Sequence, residues 1–361
     1  MKLTVLNRYL ARDIVFSSLV VMLALVALFL FFDFINELGD LSGGYGLGTA
    51  ALYVLLLVPG RAYELFPIGA LVGALYALST LARHSEITVM RASGMSTRHL
   101  LGAVALGGAV LVVATFAVGE ALAPPSEKFA EQWKLQATGH DFGSRLRSGL
   151  WVRDGARFVN VGAVQTDGRL KDVRLYEFDD ENRLRSVRRA ETGEYDEQAG
   201  NWRLQRVRDT QIAPDGSAVQ QLYEVEFRWQ AGLTPKLLDV LTLVPERMSL
   251  PPLLAYIRFL ADNGQNADRF RIAFWKKLTY PLSVLVMVLL AVPFALSHQR
   301  SSPVSVKIFA GVLLGVAFYL LNGLSQNMGL LAGWPPVLSA LAPSALFLLA
   351  AWQGIRWVER R

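Results

Sequence analysis

The chain has no cysteine in its 361 residues. That absence excludes a disulfide framework, zinc-thiolate sites, thiol redox chemistry and a cysteine nucleophile, so any domain outside a membrane must be held by its own core. Histidine is almost as scarce: His84, His99, His140 and His298 are the four, too far apart for metal-ligand spacing. No GxxxxGK[ST] phosphate loop occurs, and Gly44-Tyr45-Gly46-Leu47-Gly48 holds only part of a dinucleotide fingerprint with no strand before it. Nothing resembles a nucleophile elbow. The chain therefore reads as a non-enzyme without a cofactor of its own; if ATP drives it, another chain binds the ATP. Two stretches, Asp33–Ala50 and Gln326–Pro336, lack Lys and Arg altogether.

Between these gaps stand six apolar runs: Ile14–Phe32, Leu65–Ala82, His99–Ala123, Thr279–Leu296, Val306–Leu324 and Val337–Trp357. At ~1.5 Å per residue each is long enough to cross a hydrocarbon core of ~30 Å. Lys2, Arg8 and Arg12 precede the first run, Arg83, Arg91 and Arg98 follow the second, Arg300 follows the fourth, and Arg356, Arg360 and Arg361 close the chain. The positive-inside rule makes those segments, and both termini, cytoplasmic and puts the two Lys/Arg-free connections outside. The polar block 124–271 is then expected outside as well. A hydrophobic fraction of 53% and eight Trp agree with a membrane protein, and the net charge of +6 reads as cytoplasmic anchoring rather than nucleic-acid binding. Phe29–Phe34 offers no small-residue cleavage site, so the first span is expected to be retained.

Within the polar block the period changes from helical to two. Tyr223, Val225, Phe227 and Trp229 alternate with Glu224, Glu226 and Arg228, the pattern of a strand with one face on a core. Similar runs are separated by Asp154-Gly155, Asp167-Gly168, Asp179 to Asn182, Gly200-Asn201 and Pro214-Asp215-Gly216. About six to eight short strands imply a sandwich, jelly roll or open barrel. The chain thus divides into residues 1–123 with three spans, 124–248 with an all-β domain, and 249–361 with connecting helices and three more spans. Ser249 as N-cap, Pro251-Pro252 in a first turn, the stripe Leu253, Leu254, Ile257 and Leu260, and a stop at Asn263-Gly264 predict a helix at the outer membrane surface.

Two segments invite function. Residues 48–82 are apolar for too long to be one crossing, so Pro59-Gly60 and Pro67 are expected to break them and leave a short interfacial or re-entrant helix at 48–58. Arg61, at the break, either snorkels to headgroups or meets an anionic ligand. Residues 83–94 predict a short cytoplasmic helix stopped by Gly94, with Ser96 capping the third span. His84, Glu86, Ile87, Met90 and Arg91 lie on it, and Ile87 and Met90 exposed together would fit a partner groove.

The run from Leu81 to Gly94 resembles the coupling-helix signature of the lipopolysaccharide-export permeases of the LptF/LptG type, nearer the LptG branch. Val5 to Tyr9, Gly119-Glu120, Ala123-Pro124, Gly149 to Trp151 and Phe318-Tyr319 extend the likeness over the whole chain. The resemblance implies a six-helix protein of the Gram-negative inner membrane with a periplasmic jelly roll. It implies a heterodimer with a paralogous permease of the LptF type, and a cytoplasmic ATPase dimer of the LptB type that holds the ATP and Mg. It further implies lipopolysaccharide as cargo, delivery to a periplasmic jelly-roll bridge of the LptA/LptC type, and a cavity opening laterally between the first span of one subunit and the fifth of the other. In this chain Leu25, Phe29 and Phe32 would form the greasy wall, Gly311 and Gly315 the separable face of the fifth span, and Arg61, Lys128 and Lys134 the contacts to lipid phosphates. One departure stands out: where members of the family can carry basic side chains after the first span, this chain has Asp33, Glu37 and Asp40. A secondary transporter of a small solute and a noncatalytic envelope scaffold are the competing readings. The first would need internal repeats and a midplane ionisable cluster, and Glu64, Glu120 and Lys307 all lie near span ends.

Overall fold

The computed structural model describes residues 5–41, 44–138, 149–155, 157–165, 168–179, 181, 183–213, 219–230, 234–235, 244–296 and 303–359. Lys2, His140, Asp167, Asp180, Asn182, Pro214 to Gly216, His298, Arg300, Arg360 and Arg361, named above, lie outside them. The helices are α1 (Val5–Glu37), α2 (Leu47–Leu56), α3 (Val58–Arg83), α4 (Glu86–Ala92), α5 (Thr97–Ala117), α6 (Ala123–Thr138), α7 (Leu250–Asp262), α8 (Asp268–Leu296), α9 (Val304–Ala332) and α10 (Pro336–Glu359). Six are long and apolar enough to cross a membrane: α1, α3, the continuous α5–α6, α8, α9 and α10.

Small side chains organise the bundle, because between helices in lipid close packing replaces the hydrophobic drive available in water. Gly73 of α3 lies directly on the Ser18 backbone of α1, Gly69 faces Met22, and Gly107 of α5 lies on Ala11. α3 and α8 consequently form the buried centre, flanked by α1, α5, α9 and α10. Pro67 does not break α3. It withdraws one helix donor, and the Tyr280 hydroxyl of α8 donates to the neighbouring carbonyl of Glu64 at 2.6 Å. The helix expected at 48–58 is α2, and its last carbonyl, Leu56, accepts from Ser126 at 2.5 Å.

The third span does not end at Ala123-Pro124. A π-helical turn over Val118–Leu122 widens the helix just before the adjacent prolines, whose rings would otherwise strike the carbonyls four residues back, and α6 continues to Thr138.

Six antiparallel strands follow: β1 (Leu150–Asp154), β2 (Arg157–Val164), β3 (Leu170–Phe178), β4 (Leu184–Asp196), β5 (Asn201–Ile212) and β6 (Val219–Trp229). They pair in chain order, so among the described residues the expected jelly roll takes the form of a meander without crossovers. Val152, Val159 and Leu175 stand opposite one another and begin a core that includes Val161, Val173, Leu204, Trp202 and Trp229. α7 starts after Ser249 and stops at Asn263-Gly264 with Gly264 at φ +62°, and Leu253, Tyr256, Phe259 and Leu260 close the sheet's core while Leu254 stays exposed. β6 also departs from the alternation. Phe227 and Trp229 reach the core, whereas Tyr223 (72%) and Val225 (87%) are exposed, because β6 is the last strand of the described sheet and α7 covers only its end.

Candidate functional site

At the end of α3 opposite the sheet, Ser85 takes a left-handed conformation at φ +61° and turns the chain into α4. The stop follows the expected logic. Gly94 sits at φ +95°, Met95 N–H donates to Met90 carbonyl at 3.1 Å, and the Ser96 hydroxyl accepts the His99 N–H. The direction of the helix is a correction: Ile87 is 1% exposed and Met90 9%, both inside the bundle core. Their i, i+3 spacing is the stripe that docks α4 onto its own chain. Glu86 is tied back as well, accepting from the Tyr9 hydroxyl at 3.1 Å. What faces away is His84, Thr88, Arg91 and Val89, the last 66% exposed and not singled out from sequence.

At the other end the acidic residues after the first span acquire a purpose. Arg61 of α3 donates from Nε and Nη2 to both Asp33 oxygens at 2.7 and 2.8 Å, and from Nη1 to Glu64 at 2.9 Å. It neither snorkels alone nor waits for an anion. Lys134 of α6 pairs with Glu37 and with Asp40 at 2.9 Å, over the ring of Tyr53, while the Tyr45 hydroxyl donates to Glu37 at 2.8 Å. In this structure both cations serve as clasps between α1 and the helices beside it. The physical reason is charge: each already holds two carboxylates, and a phosphate would have to displace them. Lys128 is half-buried on α6.

Leu25 is half-buried, and Phe29 (41%) and Phe32 (54%) are exposed along α1. Gly311 and Gly315 do not present a separable face. A side chain at Gly311 would strike Leu75, and one at Gly315 would come within 2.9 Å of Ile68, so these glycines seat α9 on α3.

The π turn positions a third polar group. Glu120 Oε1 accepts the Leu250 N–H at 2.8 Å and so caps α7 from a different element, since the Ser249 side chain makes no cap bond. Lys277 of α8 donates to the Met248 carbonyl and lies 3.8 Å from Glu120. Gly119 makes the turn possible, because a side chain there would collide with the Tyr63 ring. Beside this node a cavity of about 330 Å³ opens between α3, α6, α8 and α9. No group of three or more metal-ligating side chains occurs among the described residues.

Comparisons with known proteins agree along the full length. The family model described as lipopolysaccharide export system permease LptF/LptG matches residues 8–357. The lipopolysaccharide export system permease protein LptG of Escherichia coli K12 is 35% identical over 357 residues, covering 98% of each chain. The protein of the same name from Haemophilus influenzae is 32% identical over 350 residues, covering 96% of this chain and 97% of its own. With six apolar helices, a β domain inserted between the third and fourth, and a match over nearly all its residues, the chain belongs to the LptF/LptG family of lipopolysaccharide export system permeases.

Proposed function

We propose that this chain is a permease subunit that takes lipopolysaccharide out of the inner membrane and passes it towards a periplasmic bridge, with ATP hydrolysis supplied by a separate chain. The observation that carries the reading is the uneven burial of the bundle. The apolar windows of α3 and α8 are 78% and 72% buried, while those of α5–α6, α1, α10 and α9 are 33%, 28%, 28% and 17% buried. Lipid alone accepts such surfaces, but Phe29 and Phe32 rise to the level of the charged clasps, where an acyl-chain cavity meets a headgroup. A paralogous permease of the LptF type would close that cavity between α1 of one subunit and α9 of the other. Both termini and α4 then lie in the cytoplasm and residues 124–271 in the periplasm, as the Lys/Arg distribution supports.

α4 is the contact for an ATPase dimer of the LptB type. His84, Arg91 and Val89 offer charge and one apolar knob, and Ile87, Met90 and Glu86 fasten that knob to the bundle so that force on it moves α3 and α5. A secondary transporter is disfavoured because its candidate charges have local duties: Glu64 pairs with Arg61, Glu120 caps α7, and Lys307 donates to the Ala295 carbonyl at 2.7 Å.

A photo-reactive amino acid at Phe29 or Phe32, in membranes holding the assembled complex, tests the cargo. Adducts with lipopolysaccharide that change when ATP is added are expected; labelling by bulk phospholipid alone would reject the reading. Single cysteines at Ser93 and Gln205 test the orientation against a cysteine-free background, with an impermeant thiol reagent reaching only Gln205 in intact spheroplasts.

A further inference from the structure

We infer that the cavity between α3, α6, α8 and α9 is a headgroup subsite for the phosphorylated sugar of a membrane glycolipid, with Lys276 meeting the phosphate and Glu127 and Asn322 the hydroxyls. This rests on the lipid-export reading above and adds a site lined by one subunit alone, on the α9 that the proposed seam also uses.

Three observations converge on it. Lys276 lines the cavity and, among the described residues, makes neither a hydrogen bond nor an ion pair; its ammonium only faces the Tyr280 ring at 6.0 Å. Glu64 and Glu246 line the same cavity and act on this ammonium at longer range, but neither is in ion-pair contact with it, so an entering phosphate would supply a direct counter-ion. Glu127 is nine-tenths buried, and its Oε2 has no hydrogen-bond donor, with Arg247 Nε at 3.5 Å. Gly60 makes room for this carboxylate, since any side chain there would collide with its other oxygen. Asn322 is 8% exposed, faces the same space, and makes no side-chain hydrogen bond among the described residues.

Among the described residues, an ammonium with no direct partner, a carboxylate oxygen held only by the Arg247 ion pair and an amide with no side-chain hydrogen bond lie next to the rings of Tyr63 and Tyr319, and together they suit a sugar bearing a phosphate: anion for the lysine, hydroxyls for the carboxylate and amide, carbon-bound hydrogens for the rings. A bare phosphate fits poorly, because Glu64, Glu127 and Glu246 also line the space. The volume falls within the range of small-ligand sites, about 300–1,000 Å³.

The test places a photo-reactive amino acid at Tyr319 of the full chain in membranes containing lipopolysaccharide. Adducts are expected to form, to fall about tenfold with Lys276→Ala, and to persist with Lys276→Arg, the loss expected for one charge-assisted bond. A second variant keeps the test open if Lys276→Ala is not inserted. Gly323→Leu projects into open space in the cavity and is expected to reduce the adduct while leaving Lys276 in place. Adducts at Phe29 with none at Tyr319, or a Tyr319 adduct indifferent to both variants, would overturn the subsite and leave the export reading intact. Loss of labelling at both positions would overturn both. Complete protection by an equal concentration of soluble glucosamine phosphate would assign the cavity to a free metabolite and overturn the lipid-borne headgroup.

Discussion

Two sets of cations lie at the same end of the bundle and are treated in opposite ways. Arg61 and Lys134 each hold two carboxylates, all four acids coming from within this chain. Lys276, across α3 from them, holds none among the described residues. A lysine or arginine in a membrane protein is therefore a poor guide to a ligand until its neighbours are counted. The clasped pair keeps α1 against α3 and α6, and the unclasped one keeps its hydrogen-bond donors without a direct partner among the described residues.

The contrast breaks most visibly at Arg61. Its side chain is 28% exposed and that of Asp33 16%, so Arg61→Ala is expected to destabilise by about 2–3 kcal/mol, less than a fully buried pair. Asp33→Ala with Arg61→Ala should recover much of that loss, read as the thermal unfolding midpoint in detergent; a double variant as unstable as the single would show that the clasp is not the cause. Volume sharpens the same comparison. Gly311→Leu drives into Leu75 and should cost about 1–3 kcal/mol, whereas Gly323→Leu enters open space and should stay within about 0.5 kcal/mol. Next in size is the borrowed cap: Glu120→Ala should loosen α7 by about 1 kcal/mol and Glu120→Gln by less, followed by hydrogen exchange of the Leu250 amide.

The smallest effect is one of pH in the sheet. Burial would raise the Asp172 carboxyl, but hydrogen bonds from Arg174 at 2.7 Å and Arg189 at 2.9 Å outweigh it and hold it below its usual value. Glu177 is likewise lowered against its burial by Arg157 and Arg188. Groups depressed in the folded state contribute stability above their unfolded pKa, about 4, and lose it as pH falls through the folded value. Proteolysis of the sheet should therefore be constant from pH 8 to 5 and accelerate only below about pH 4.

Local sequence logic succeeded where the cause was local. Gly94, Ser96 and Gly264 mark boundaries that the helices obey, because a cap or a left-handed turn depends on only a few neighbours, whereas the cap expected of Ser249 comes from the distant Glu120. It failed where the partner is distant in the chain. Asp33 lies 28 residues from Arg61 and Glu37 almost a hundred from Lys134, so the acids that departed from the family pattern could not be recognised as the answer to the cations. Ile87 and Met90 are amphipathic by spacing, but spacing does not tell which face meets the bundle. The apolar run ends at Ala123, just before Pro124-Pro125, and a widened turn ahead of them carries the helix on.

That widened turn has a mechanical consequence. From Thr97 to Thr138 the third span is one uninterrupted helix of 42 residues, about 60 Å long and twice the thickness of a hydrocarbon core. Its first residues adjoin α4, and its far half carries Lys134. A rod of that length acts as a gear: tilting by about five degrees at the α4 end sweeps the other end sideways by about 5 Å, roughly one helical turn. A stroke of that size at Asp40 and Glu37 is enough to pull a charge pair apart, without any part of the helix unfolding.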